Sequence, residues 1–482
     1  MFNLDFARGR VLYRLMSLCC CMAFGMYGYD AGVLGGVQET KPFRDALGVS
    51  PGFSQRYTLT ATVCSLLTSV MGMPLGRRGC ILLGDVLVVI GGSLQASAWS
   101  VAQMIAGRVV CGFGIGAEMS IKTKQRGPEV AIQCIFLVGG CALAYWVDFG
   151  FTRMDNQISW RFPIGFQCFF AVVSGVGMFL LPDTPRWYYA RGRYEEGDRI
   201  LARLHDCEVS DDAVQDMRRS IISSIEFEEE SKTFNVMDLL WDRTSLRVGR
   251  RIRIAFLLLS MQQMMGINLS VYYSTIIFGQ IGLSPFMSQL LAAVMNTTFA
   301  LGSLFLPSTI ERFGRRGIMI YSAVGLTICM AVFVAMIGTP NPTPATQWTA
   351  IAAVFLYNFI FGYGWIGVCW LYGPEIAPLT FRHVGGAAAA FGEWLFCFIT
   401  VFAGGIGLQN VGWKMWLWCL ISCALAVPFV YFLCPETTGK TLEEIDLLFA
   451  RGDVQRDSLD VGGQFDDGKE ALEVEHEERV RV

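Results

Sequence analysis

Residues 260–274, SMQQMMGINLSVYYS, place amides and phenols where a lipid-buried helix should have none. The flanks, RRIRIAFLLL before and TIIFGQIGL after, make the whole a membrane helix of about 20 or more residues. Gln262, Gln263, Asn268, Tyr272 and Tyr273 then lie at membrane depth. An amide without a partner in hydrocarbon costs several kcal/mol, so these groups must face protein, water or a polar ligand. Asn268 follows the glutamines by five or six residues and the tyrosines follow it by four or five, so the helical repeat gathers most of them on one broad face. Gly266 in their midst weakens the helix and permits close approach. Such a face suits a neutral, hydroxyl-rich solute, because each amide both donates and accepts. The same groups would equally bond neighbouring helices in a bundle that carries nothing.

Working outward, the chain has 482 residues, 53% hydrophobic and 16% charged, with a mean hydropathy of +0.44. That balance selects a polytopic membrane protein over a soluble enzyme. A net charge of -3 gives no sign of a nucleic-acid partner. Apolar runs long enough to cross a bilayer fall at 13–36, 57–75, 80–99, 101–120, 129–150, 160–182, 252–279, 287–310, 317–338, 348–373, 384–408 and 413–434. The sequence thus predicts an all-α membrane protein with twelve transmembrane helices. Most of the cysteines sit inside these spans as small apolar residues, without metal-ligand spacing. No nucleophile–histidine constellation and no phosphate loop is present, so an enzyme is not expected. No cofactor is expected either, the proton being the candidate coupling ion.

Basic residues cluster in alternate connections, at Arg8 to Arg14, Arg77 and Arg78, Lys122 to Arg126, 183–251, Arg312 to Arg316, and Arg382. By the positive-inside rule these connections and both termini are cytoplasmic. The charged stretch 183–251 reads as a cytoplasmic linker of short amphipathic helices between two six-helix halves, 1–182 and 252–434, with a cytoplasmic tail at 435–482 that is mobile beyond about Phe449. A weak internal repeat supports the halves: LGRRGCILLGD at Leu75 to Asp85 answers ERFGRRGIMI at Glu311 to Ile320. Parallel halves place a substrate site at their interface near the midplane. Asp30 lies within the first span, and an intramembrane carboxylate is a functional candidate; Arg108 in the fourth span is its natural partner.

QQMMGIN followed by YYS resembles the seventh transmembrane helix of the sugar porter family within the major facilitator superfamily. The resemblance extends over nearly the whole chain through LPDTPRW at Leu181 to Trp187 and PETTGK at Pro435 to Lys440. It implies a major facilitator fold and a sugar bound by Gln262, Gln263 and Asn268, with Tyr273 on the same helix and Tyr27 lining the first. Trp370 in the tenth span matches the family's stacking tryptophan, and Gln133 and Asn296 stand near two further site positions. Glu393-Trp394 occupies the place where relatives carry Asn-Trp, so its carboxylate either binds a hydroxyl or shares a proton. Asp30 and Arg108 resemble the protonation switch of proton-coupled members, although facilitative members carry a similar aspartate. Glu118, Arg126, Glu311, Arg312, Arg315, Arg316, Glu375 and Arg382 resemble the family's cytoplasmic gate; as basic loops they also satisfy topology alone.

Two departures stand out. Met73-Pro74 replaces the acidic gate residue of the second-to-third loop, and the family's Pro-x-Tyr segment is missing between Gly116 and Glu118, shortening the fourth span. The expected protein is a fungal-type, multi-pass plasma-membrane monomer in the lipid bilayer that moves a small-molecule sugar. Proton symport, facilitative uniport and a non-transporting sugar receptor all fit this sequence, and the sugar itself is left open.

Overall fold

The computed structural model describes residues 8–37, 40–48, 76–119, 127–230, 242, 244, 246–378, 381–440 and 442–449. Among them every regular element is helical. The first half contains α1 (Gly9–Val37), the short α2 (Lys41–Leu47), α3 (Gly76–Ala96), α4 (Val101–Met119), α5 (Gly127–Phe151) and α6 (Ile158–Leu180). Three linker helices follow: α7 (Pro185–Tyr189), α8 (Tyr194–His205) and α9 (Asp212–Glu230). The second half contains α10 (Val248–Met264), α11 (Ile267–Tyr272), α12 (Ser274–Gln280), α13 (Pro285–Leu304), α14 (Leu306–Phe313), α15 (Arg315–Ile337), α16 (Pro344–Gly364), α17 (Val368–Ile376), α18 (Arg382–Asn410) and α19 (Trp416–Leu433), and α20 (Leu442–Phe449) closes the chain.

Nine spans among the described residues are long and apolar enough to cross a membrane. A tenth is the pair α13 and α14, bent by 45°. The shorter apolar stretch Val101–Gly116 supplies the fourth predicted span, and the second, at 57–75, lies outside the described residues. The twelve-span, two-half arrangement therefore stands, but three spans expected as single helices do not run straight. Helices α10 to α12 are one span in three pieces, and α16 and α17 are another in two. The bend between α13 and α14 has a visible cause: Pro307 opens α14 and offers no N–H to the preceding turn.

The end of the linker and the start of the tail pack on the bundle. Helix α10 begins at Val248, inside the stretch assigned to the linker, and Arg251 is fully buried. Its guanidinium bonds Asp446 Oδ1 at 2.5 Å and the Ile445 and Asp446 carbonyls, while lying 4.7 Å from the Phe449 ring. So α20 is docked against the bundle; residues 441 and 450–482 of the tail lie outside the described residues. In the linker, α8 carries Glu195 and Glu196 in its first turn and Arg203 and His205 in its last, each complementing the helix dipole. Tyr189 donates to Asp198 at 2.8 Å, and Arg218 pairs with the same carboxylate at 3.3 Å, locking the three linker helices together.

Close packing of α1 on α5 builds the first half. A Cβ on Gly28 would lie 1.7 Å from the Leu137 carbonyl oxygen, so only glycine permits this crossing. Helix α5 also joins the other half: Ala131, Val138, Cys141 and Tyr145 belong to the core of the second half. Away from the linker the halves are joined by hydrogen bonds. Thr275 Oγ1 donates to the Gly35 carbonyl at 3.0 Å, Ser274 donates to the Tyr145 hydroxyl at 2.9 Å, and Tyr145 donates to the Val271 carbonyl.

Candidate functional site

The site grows out of the first break in the seventh span. Gly266 has φ +95°, a left-handed conformation, and a Cβ there would meet Cys419 Sγ at 2.4 Å. Breaking a helix in a membrane strands backbone carbonyls, and each needs a partner. Tyr357 donates to the Met265 carbonyl at 2.8 Å and Thr400 to the Gln263 carbonyl at 3.3 Å.

Around this break the polar side chains form a chain. Asn268 Nδ2 donates to Gln263 Oε1 at 2.5 Å, and Gln263 Nε2 donates to Glu393 Oε1 at 2.5 Å. A carboxylate only accepts, so Glu393 fixes which end of the Gln263 amide faces it and leaves the amide oxygen for Asn268. Cys397, one turn beyond Glu393 on α18, also receives Asn268 Nδ2 at 3.0 Å. Tyr273 donates to the Val401 carbonyl at 3.3 Å on the same helix. Gln262 goes elsewhere: its Nε2 donates to the Trp365 carbonyl at 3.1 Å, beside the gap between α16 and α17. Gln262 thus leaves the face that Gln263, Asn268 and Tyr273 share, because adjacent helix positions diverge by about 100°.

Hydrogen-bonding capacity remains after these partners are counted. Glu393 Oε2, Gln262 Oε1 and Trp394 Nε1 are buried without a partner among the described residues. From the first half, the Tyr27 ring reaches Trp394 at 5.4 Å between centroids. One helical turn beyond Tyr27 on α1, Asp30 Oδ1 accepts Arg108 Nη1 at 2.6 Å, both groups being buried. Arg108 Nε and Nη2 have no acceptor among the described residues.

Residues 16–449 match the family model described as sugar (and other) transporter. The chain belongs to that family. Among its relatives, MFS-type transporter oryC of Aspergillus oryzae is 32% identical, covering 89% of this chain and 84% of that protein. Sugar transporter STL1 of Saccharomyces cerevisiae is 30% identical over 92% and 82%. The solved proton:xylose symporter XylE bound to 6-bromo-6-deoxy-D-glucose superposes with a TM-score of 0.76 at 21% identity, covering 90% of this chain and 98% of that one. This is a multi-pass membrane transporter of the major facilitator fold and not an enzyme.

Other expected site residues of the transporter are spread more widely. Trp370 is half-buried on α17 against the core of the second half. Gln133 is buried on α5, next to Cys134, whose Sγ lies 4.0 Å from the Ile366 carbonyl oxygen. Asn296 is not brought to the Gln263 cluster: it donates to Ala292 O at 2.9 Å and accepts from Cys141 at 3.4 Å, within the contact of α13 and α5.

On the linker side Arg315 pairs with Glu311 at 2.9 Å and Glu375 at 3.0 Å. Glu436 accepts from the backbone N–H groups of Arg315 at 2.9 Å and Arg316 at 3.0 Å, and from Thr438 Oγ1 at 2.8 Å. Burial by itself would raise the Glu436 carboxyl, but these donors prevail and hold it below its usual range. Arg312 lies over the Phe313 ring at 5.7 Å, and Arg316 turns away from the ion pairs. Arg126, with the side chains of Glu118 and Arg382, and the Met73-Pro74 departure, lie outside the described residues.

Sequence reading missed Cys397, Asn358 and Asp148. Asn358, fully buried, donates to Ser270 Oγ at 2.8 Å beside the break. Asp148 is buried on α5 against the Gly36 backbone, and a lone carboxylate in the run AYWVDFGF was the available signal.

Proposed function

We propose that the transporter carries a monosaccharide or small oligosaccharide across the plasma membrane by alternating access, in symport with protons. The observation that carries the sugar reading is the chain Glu393–Gln263–Asn268, with spare acceptors on Glu393 and Gln262 and a spare donor on Trp394. A polyol both donates and accepts, and it would engage such a mixture better than an apolar or anionic solute. Tyr27 and Trp394 meet across the two halves and offer ring faces to the C–H side of a sugar ring. Rocking of one half on the other would part them and the Gly35–Thr275 contact in turn.

Proton coupling rests on Asp30 and Arg108. Asp30 is an intramembrane carboxylate held by one guanidinium nitrogen, the kind of group on which the proton relays of transporters are built. Facilitative uniport is the second reading, favoured by the 2.6 Å closure of that pair, which a purely structural ion pair would also show. The arginines of the linker and of the Arg312 to Arg316 loop support cytoplasmic termini, and the chain functions as a monomer on this reading.

Uptake of a panel of labelled sugars in transporter-deficient cells, with and without a protonophore, tests it. Accumulation against a gradient that collapses with the protonophore is expected. Downhill uptake indifferent to pH would replace symport by uniport, and sugar binding without flux would replace both by a receptor.

A further inference from the structure

A cavity of about 360 Å³ opens on the linker side, where α10 and α15 begin and α19 ends, with α20 as its remaining wall. Arg250, Arg316, Tyr431, Phe432, Glu436 and Phe449 line it. Neither arginine has a carboxylate partner among the described residues. Arg316 gives Nη2 to the Tyr431 carbonyl at 2.7 Å and lies 4.9 Å from that ring, while its Nε is buried without an acceptor. Arg250 is held through its backbone N–H, which donates to Asp242 Oδ2 at 2.8 Å. The acid on the wall, Glu436, spends its oxygens on the N–H groups of Arg315, Arg316, Thr437 and Thr438 and the Thr438 hydroxyl.

Position adds to charge. The last turn of α19 exposes Tyr431 by 56% and Phe432 by 74%, at the level where the span ends. Aromatic residues at that depth sit among lipid headgroups and upper acyl chains. The two arginines therefore stand over a surface that only a lipid, among phosphate-bearing ligands, covers at the same time.

We propose that this cavity binds the headgroup of an anionic phospholipid. Arg250 and Arg316 would take the phosphate oxygens, for which the guanidinium fork is suited, and Tyr431 and Phe432 would lie against the glycerol and upper chains. A basic pocket between span ends is the recurrent setting for such recognition. The site is independent of the sugar site and of the coupling mode.

The test uses the full chain reconstituted in phosphatidylcholine bilayers with and without phosphatidylserine, followed by native mass spectrometry of retained lipid. The unaltered chain is expected to retain phosphatidylserine over phosphatidylcholine, and rising salt should erase that preference. Arg250→Gln with Arg316→Gln should lower phosphatidylserine retention about tenfold, while the two Lys replacements keep most of it. Phe432→Ser should also weaken retention. Indifference of the unaltered chain to headgroup charge, or a preference untouched by salt, would overturn the proposal even if the double variant failed to fold. Displacement of the lipid by inorganic phosphate, with Phe432→Ser without effect, would reassign the cavity to a free anion.

Discussion

The first span of each half occupies the same place in the internal repeat, yet the two are built differently. Helix α1 runs unbroken for 29 residues and brings one carboxylate, Asp30, to a cation on α4. Its counterpart is cut into α10, α11 and α12 and brings amides to a carboxylate on α18. An intact helix satisfies its own backbone and can spend its side chains on a single buried charge pair. A broken one must borrow hydroxyls from Tyr357 and Thr400, and in exchange presents polar groups from two faces. Elsewhere the repeat holds closely. Arg78 donates to the Phe179 carbonyl at 2.6 Å and lies over its ring, with Asp183 accepting the Arg78 N–H. Arg316, Tyr431 and Glu436 repeat that pattern in the second half. The scaffold repeats; the chemistry lies where the repeat fails.

Breaking the charged side of this comparison should have the largest effect. Arg108→Met leaves Asp30 buried and unpaired, with an expected loss of about 3–5 kcal/mol, read as a fall in melting temperature in detergent. Adding Asp30→Asn should restore most of that stability without restoring accumulation of sugar. If the double variant still accumulates, the pair is structural and the contrast with the second half loses its functional meaning.

Next, Gly266→Ala forces a side chain into a left-handed position against Cys419 Sγ, costing about 1–3 kcal/mol. Uptake should fall more than tenfold, and Cys419→Ala should recover part of it. Tyr357→Phe is milder: it leaves the Met265 carbonyl only the weak Cys423 thiol at 3.9 Å and should cost about 1 kcal/mol, visible by calorimetry as a small drop in melting temperature.

The smallest effect concerns the cap of α15. The Glu436 carboxyl is held below 4.5 in the folded chain, so its contribution is complete above that value and is lost as pH falls through the lowered one. Glu436→Gln should flatten the acid limb of a melting-temperature profile and change little near neutrality. An unchanged acid limb would remove Glu436 from the cap and weaken its equivalence to Asp183.

Much of this was legible in the sequence, because span length is imposed by the bilayer and apolar runs record it directly. The weak point at Gly266 was legible too, since glycine loosens a helix, but that the span breaks there into separate helices was not. The gap at Trp365 was not: its residue is a large aromatic, and the glycines around it read as ordinary packing residues. Consecutive glutamines looked like one site, and only their divergence around the helix sends Gln262 to the Trp365 carbonyl and Gln263 to Glu393. Cys397 and Asn358 resemble dozens of other span residues until their partners are known.

The bond between Arg251 and Asp446 sets an order of events during synthesis. The guanidinium that opens the second half is buried only when a residue 195 positions later arrives. At about 5–20 residues per second, the ribosome needs roughly 10–40 s to deliver it. Through that interval the nascent chain carries a bare cation at the mouth of its seventh span, and a chain cut short before Asp446 would carry it permanently.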